Sequence, residues 1–380
     1  MAHAFVKPTA VVDTAIQILQ REIVLPRLVW LNGFDVAGKY NDTVSIRVPA
    51  RTQAHTRQLR GTGSARNLIA SDLTESKVDV TLTDDVYNLV VLTDEEKTLD
   101  IRDFARDVLA RQVRSVAEQL EDGLAATIEG APYTQVHNAE ADTLYNAVAS
   151  ARRQLNDAYV SRQGRVLIVG SAVEQALLED DRFSRYDSAG EGATSALREA
   201  RIGRILGYDV IVVDAIRHGD AFLYHPTAFV MLSRPPAPPM SGADRVSAVA
   251  AEGGLALRWL GDYDPTITSD RSLVDCFVGY NIVEDPNGVG FVRATKIHLK
   301  AESVEIQGDD EVDVGEKLQL RAVDSHGDDR TEDDDTVWES SDPSKATVVD
   351  GEVTGVGTGT AIIKVTVDGK EDTLEVTVSA

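Results

Sequence analysis

From Ile101 to Ile128 apolar residues recur at steps of mostly three and four: Ile101, Phe104, Val108, Leu109, Val113, Val116, Leu120, Leu124 and Ile128. Arg102, Asp103, Arg106, Asp107, Gln119, Glu121 and Asp122 fill the other side, so the stretch predicts one amphipathic helix. Run from Thr98 to Ile128, it would be about 46 Å long. That exceeds the usual helix of a globular domain, and any fold must lay its other elements along it as along a spine. Thr93 or Thr98 can cap it, and Asp94, Glu95, Glu96 and Asp100 suit the positive end of its dipole.

The residues before the spine are of two kinds. "DTAIQILQREIVLPRLVW" is apolar at helical spacing and stops at Pro26. "NDTVSIRVPA" (41–50) then alternates as a strand, and "KVDVTLTDDV" returns as another, with Val78, Val80 and Leu82 on one face. Between them runs the polar stretch "RTQAHTRQLRGTGSARNLIASDLTES", carrying Arg51, Arg57, Arg60 and Arg66. A loop of that length in a compact domain needs a job, and docking on a neighbouring copy is one.

Beyond the spine, "EADTLYNAVASARRQLNDAYV" (140–160) predicts a second helix with Leu144, Val148, Ala151 and Leu155 on one stripe. A mixed region follows: strand "RVLIVG", helix "SAVEQALLED", helix "SALREARIGRILG" and strand "YDVIVVD". "SRPPAPPM" (233–240) reads as an extended surface connection. "GGLALRWLGDYDP" and "RSLVDCFVGYNIVEDP" read as paired strands near a turn at Asp264-Pro265.

From about Ser303 the pattern changes to short alternating runs such as "SVEIQG", "KLQLRAV", "TAIIKVTV" and "DTLEVTV". Turn residues separate them, among them Gly308, Asp350-Gly351 and Asp368-Gly369. This predicts a small β-sandwich. The charge is uneven too. Residues 301–380 hold 22 acidic against 6 basic residues, and these supply two thirds of the net −24 of the chain. So acidic a segment repels nucleic acid, which argues against sequence-reading DNA binding.

Two resemblances follow from these motifs. "VWESSDPSKATVVDGEVTGVGTGTAIIKVTVDGKEDTLEVTV" is similar to the bacterial group 2 immunoglobulin-like domain, over residues 303–380. "GKYNDTVSIRVPA", "VTLTDDVYNLVVLTDEEKTLDIRDF", "RIGRILGYDVIVVDAI", "AFLYHPTAFVML" and "LRWLGDYDPTITSDRSLVDCFVGYNIV" succeed one another as in the major capsid proteins of tailed double-stranded-DNA phages. Over residues 1–295 the chain resembles that family, whose architecture is the Hong Kong 97 fold. The expected fold class is therefore α+β: an N-terminal arm, an extended loop (50–77), a spine helix and a central domain. A linker at 296–302 and the all-β sandwich follow. The large inserted domain of some relatives has no counterpart here.

The resemblance implies a structural protein, not an enzyme, that assembles through hexamers and pentamers into an icosahedral head around double-stranded DNA. It also implies scaffolding and portal proteins as partners, assembly in the host cytoplasm, and a place in the virion. Hundreds of immunoglobulin-like modules facing outward would attach weakly to a host-surface glycan, or else serve as decoration, a passive spacer or a capsid-stabilising knob. Arg57, Arg60 and Arg66 would pair with acids of an adjacent subunit, or else remain solvated loop charges. An encapsulin-like compartment enclosing protein, and a cell-surface binding protein, are the alternatives. The start of the sequence shows no signal-peptide pattern and no run long enough for membrane insertion.

Nothing else in the sequence carries catalysis, and no cofactor or metal is expected. The seven histidines show no metal-ligand spacing; His218 and His225 read as surface or satisfied residues. "VLIVGS" has one glycine where a nucleotide fingerprint needs three. Gly355, Gly357 and Gly359 precede a strand, as in a turn, not the helix of a phosphate loop. Asp262 and Asp264 are a carboxylate pair or turn residues, and Cys276 is a core thiol. "DDRTEDDD" (328–335) reads as a solvated acidic loop, with calcium binding the alternative.

Overall fold

The computed structural model describes residues 8–31, 43–48, 76–99, 108–179, 204–239, 245–252, 254–264, 266–285 and 290–380. It also describes positions 54–57, 59–60, 64, 67–68, 70 and 104. The chain divides into two units: one of residues 1–134, 155–166 and 224–294, the other of residues 135–154, 167–223 and 295–380.

In the first unit, helix α1 (Pro8–Glu22) buries Val11, Val12, Ala15, Ile16 and Leu19 along one stripe. It ends four residues before Pro26, which opens a 3-10 turn at Leu25–Leu28. Helix α2 (Asp94–Leu99) starts behind a reciprocal cap. The Thr93 hydroxyl accepts from the Glu96 N–H, and the Glu96 carboxylate accepts from Thr93. Thr98, the other expected cap, lies inside this helix.

Helix α3 (Ala110–Glu129) is the described part of the spine, 20 residues or about 30 Å, with Val108 and Leu109 in a wider turn before it. The expected single helix from Thr98 is therefore shorter as described; positions 100–103 and 105–107 lie outside the described residues. Val113, Val116, Leu120, Leu124 and Ile128 are buried. Gln112 is buried as well. Its amide donates to the Ser272 and Asn88 carbonyls and accepts from the Ser272 hydroxyl, which ties the helix to two strands.

Those strands belong to a six-stranded sheet. Trp30–Leu31, Phe229–Arg234, Ser269–Ile282, Leu255–Asp264 and Arg245–Glu252 lie in that order, and Asp84–Thr93 also pairs Ser269–Ile282. Helix α1 packs on the last two strands of that order and α3 on Ser269–Ile282 and Asp84–Thr93. The segment "KVDVTLTDDV" is split between two strands, a correction to the expected one. Ser76–Thr81 pairs antiparallel with Thr43–Val48, while Asp84–Thr93 enters the large sheet. The paired arms bury Ile46, Val48 and Val80 against Val230, Leu232 and Val283. Most of the polar stretch between them lies outside the described residues.

In the second unit, another six-stranded sheet runs Val136–Ala139, Ala294–Leu299, Asp220–Tyr224, Val166–Val169, Tyr208–Val212, Arg204–Ile205. Helices α4 (Leu144–Asp157) and α5 (Ser171–Glu179) bury Leu144, Val148 and Ala151, and Val173 and Leu177. Two expectations change here. Of the helix expected over "SALREARIGRILG", residues 195–203 lie outside the described residues, and the last four form a strand and turn instead, because Leu206 and Gly207 take φ of +49° and +88° and turn Arg204–Ile205 back onto Tyr208 and Asp209. The expected linker at 296–302 holds the last four residues of the buried strand Ala294–Leu299, so the connection is Lys300 to Ser303.

The sandwich is built from the strands Val304–Gln307, Glu311–Asp313, Lys317–Gln319, Arg321–Asp324, Val337–Ser340, Ala346–Val349, Glu352–Gly355, Gly359–Val367 and Lys370–Ser379. Ile306, Leu320, Ala322, Val353, Ile363, Val365, Val367, Val376 and Val378 form its core. Asp350-Gly351 and Asp368-Gly369 take positive φ at both residues, the turn whose twist matches a hairpin.

Gly279 marks the tightest approach in the first unit: a Cβ there would lie 2.0 Å from the Thr81 carbonyl oxygen. Gly279→Ala is expected to lower stability by about 1–3 kcal/mol. Urea unfolding at equilibrium measures it; a shift below about 0.5 kcal/mol would show that the arms yield.

Candidate functional site

Among the described residues of the second unit, the densest group of buried charges lies where strand Ala294–Leu299 runs into the sandwich. His298 follows Ile297 in that strand and is buried. Its Nδ1 lies 2.7 Å from Asp220 Oδ1, on the neighbouring strand, and its Nε2 lies 3.1 Å from Asp368 Oδ2, in the sandwich turn Asp368-Gly369. Lys296 Nζ sits 2.7 Å from the other Asp220 oxygen. Asp368 Oδ2 also accepts from the Ala301 N–H at 3.2 Å.

Arg330 extends the group. Its Nη1 is 3.4 Å from Asp368 Oδ2, its Nε donates to Asp333, and its Nη2 reaches both Asp335 oxygens at 3.0 and 3.1 Å. Asp324 lies 3.7 Å away. Asp333 is shared: Arg217 donates to both its oxygens, at 2.5 and 2.7 Å. Asp328 completes the contact. Its carboxylate accepts from the His218 N–H and Gly219 N–H at 2.9 and 2.8 Å and lies 2.9 Å from His218 Nδ1. Gly170 lets the 217–219 turn sit this close, since a Cβ there would lie 2.2 Å from the Arg217 carbonyl oxygen.

Six carboxylates therefore face three permanent cations, Arg217, Lys296 and Arg330. A proton on His298 supplies a fourth positive charge, between two of the acids. Burial alone would lower the His298 pKa, but the hydrogen bonds to Asp220 and Asp368 outweigh it and lift it to about 9. Burial opposes ionisation of Asp368 too, yet His298, the Ala301 N–H and Arg330 hold it down at about 2. Asp220 is likewise held below its usual range, against its burial, by His298 and Lys296.

This overturns the reading of "DDRTEDDD" as a solvated loop. Asp328 and Arg330 are buried, Asp329 accepts from the Thr331 N–H, and Asp333 and Asp335 hold arginine. The calcium alternative gains no support: among the described residues no group of three or more His, Cys, Asp or Glu is placed to hold a metal ion. The sequence did carry a signal, since Arg330 is the lone base among six acids in this stretch. A single base so placed is a candidate for a shared, enclosed partner.

The other singled-out residues fall elsewhere. Arg57 and Arg60 are exposed, and Arg66 lies outside the described residues. His225 Nδ1 is 2.9 Å from the Thr227 hydroxyl. Asp262 is held by Arg271 at 2.8 Å through both oxygens, and Asp264 caps the turn at Thr266. Burial pushes the Cys276 thiol up to about 12. Gly355, Gly357 and Gly359 join two strands.

The family model for phage capsid proteins matches residues 86–276, half of the chain. The chain belongs to the phage capsid protein family. A second match, to the bacterial immunoglobulin-like domain of group 2, covers residues 298–378. No curated protein sequence matches. Among solved structures, this capsid protein is similar to a chain of Mycobacterium phage Che8 at 19% identity and a TM-score of 0.52, covering 72% of this chain and 90% of that one. The capsid of the cyanophage P-SCSP1u gives 10% identity and 0.53, over 79% and 90% of the two chains. The capsid of Ralstonia phage GP4 gives 11% and 0.51, over 73% and 88%. The capsid protein thus has the Hong Kong 97-type fold, followed by the immunoglobulin-like module, and is a structural component of a virion.

Removing one member of the buried charge group leaves its partners facing one another. Arg330→Ala in the capsid protein is expected to cost about 3–5 kcal/mol. Native-state hydrogen exchange along strand Gly359–Val367 measures this; a cost under about 1 kcal/mol would mean that water replaces the guanidinium freely.

Proposed function

We propose that this capsid protein self-assembles through hexamers and pentamers into an icosahedral head that encloses double-stranded DNA. Membership of the capsid family, with the matching fold, carries this reading. In it the Thr43–Val48 and Ser76–Thr81 arms project a loop onto an adjacent subunit, where Arg57, Arg60 and Arg66 meet acidic side chains. Exposed pairs of this kind are worth about 0.2–1 kcal/mol each, but repetition and register let them guide closure. An exposed apolar row on strand Asp84–Thr93, formed by Tyr87, Leu89 and Val91, offers further surface for a second copy. No helix among the described residues is long and apolar enough to cross a membrane.

The immunoglobulin-like module faces outward in this reading. Its strong negative charge favours the solvent side over the side that meets packaged DNA. Many copies on one particle would turn a weak contact with a host-surface glycan into attachment, with an avidity gain of about 10²–10⁴. The protein has no catalytic part in this scheme. Assembly takes place in the host cytoplasm, with scaffolding and portal proteins as partners.

Expression of the full chain, followed by negative-stain electron microscopy, tests the reading. Closed shells or curved sheets tens of nanometres across are expected, with modules on the outer surface. A monomer that forms no shell even with a co-expressed scaffold would sink it; particles from infected cells filled with protein instead of DNA would turn it toward a cargo compartment. The triple change Arg57→Ala, Arg60→Ala, Arg66→Ala is expected to leave subunits folded while lowering the assembled fraction in sedimentation. Equal shell yield would take these arginines out of the interface.

A further inference from the structure

An immunoglobulin-like module at the end of a chain is commonly drawn as a bead on a flexible string. The junction in this protein is built differently. Only Lys300 to Ser303 connect strand Ala294–Leu299 to the first sandwich strand. Three contacts flank that connection. Asp368 in one sandwich turn accepts from the Ala301 N–H and faces His298. Asp328 in the Arg321–Val337 segment takes the two backbone N–H groups of His218 and Gly219. Asp333 in the same segment takes the Arg217 fork. The backbone adds its own bonds: the Glu302 N–H donates to Ser325, and His326 Nε2 lies 3.3 Å from the Lys300 carbonyl oxygen.

We propose that this charge group is a clamp that holds the immunoglobulin-like module against the capsid sheet in one orientation, and that the clamp opens when His298 gives up its proton. The proposal goes beyond the assembly reading and does not depend on it.

The groups facing His298 decide the direction. Asp220 faces it from strand Asp220–Tyr224, Asp368 from the sandwich turn, Arg330 from the Arg321–Val337 segment, and Lys296 lies two residues away on its own strand, paired with Asp220. As an imidazolium His298 donates on both sides and bridges the two acids. As a neutral ring it has one N–H and can serve one of them. Nδ1–H kept on Asp220 leaves an Nε2 lone pair that can accept from Arg330 Nη1, 3.2 Å away, but it no longer donates to Asp368, so the bridge between the two acids is lost and the lone pair faces the Asp368 carboxylate. The three remaining cations then face six carboxylates without it.

Docking therefore takes up a proton. Since the docked value of about 9 stands above the ordinary 6.5 of an imidazole, the contribution is complete below pH 6.5 and is lost as the pH rises through 9. The module is locked at neutral and mildly acidic pH and released in alkali.

Hydrogen exchange of the full-length protein from pH 7 to 10, corrected for the intrinsic pH dependence of exchange, tests this at the Ala301, His218 and Gly219 amides. These should speed up by at least about tenfold, while strand Gly359–Val367 keeps its protection. His298→Lys places a cation that titrates near pH 10.4 when unperturbed between the same carboxylates, and should abolish the acceleration. His298→Gln should exchange fast at these sites already at pH 7. Unchanged protection from pH 7 to 10 overturns the proposal, as does the same acceleration in His298→Lys. Loss of protection in Gly359–Val367 at the same pH also overturns it, because the module would then be unfolding and not undocking.

Discussion

A buried imidazolium between two carboxylates is the constraint around which the second unit is arranged. His298 can be charged inside the protein only because Asp220 and Asp368 approach it from opposite sides. The two acids in turn stay ionised because Lys296, the Ala301 N–H and Arg330 share them. Each member answers a desolvation cost that it could not offset alone. Buried ion pairs of this kind add little to net stability compared with apolar packing of the same volume, but they tolerate few alternative geometries. The apolar core from Ile306 to Val378 decides that the sandwich folds; the charges decide how it meets the sheet.

That division of labour explains the acidity of the module. Part of its negative charge is invested in the contact: Asp324, Asp328, Asp333, Asp335 and Asp368 meet Arg330 and the Arg217–Gly219 turn. The rest, such as Glu371 and Glu375, lies on an exposed strand face and keeps the surface solvated. In the first unit the solution is more conventional. Helices α1 and α3 cover one side of a sheet, with Gln112 as the one polar residue among the buried positions of α3.

The fold was legible wherever a local pattern states its own environment. The three-four spacing of Val113, Val116, Leu120, Leu124 and Ile128 announced the spine, and Asp350-Gly351 and Asp368-Gly369 announced their turns. Two local patterns misled. "RIGRILG" has helical spacing, yet Leu206 and Gly207 adopt the left-handed conformation and make a hairpin. "KIHLK" fell largely in the linker expected at 296–302, between the two resemblances, although Lys296 and His298 both point at partners inside the structure. The candidate site was the least legible part. Asp220 and His298 are 78 residues apart and His298 and Asp368 are 70 apart, and no spacing rule joins residues that only the tertiary fold brings together. The arginines of the loop, singled out from the sequence, lie far from this chemistry in the chain.

The short connection from Lys300 to Ser303 has a consequence for inheritance. Modules at chain ends are natural units for exchange by recombination, since a crossover in a loose tether disturbs neither side. Here a crossover at that point would deliver a capsid protein carrying Asp220, Lys296 and His298 but no Asp368 and no Arg330, and a sandwich whose own acids meet no arginine turn. Both products would hold ionised groups matched to a partner that stayed behind. The two halves of the junction are matched to each other, so a module exchanged at this point would have to bring an acid opposite His298 and a base among its own acids to rebuild the same contact.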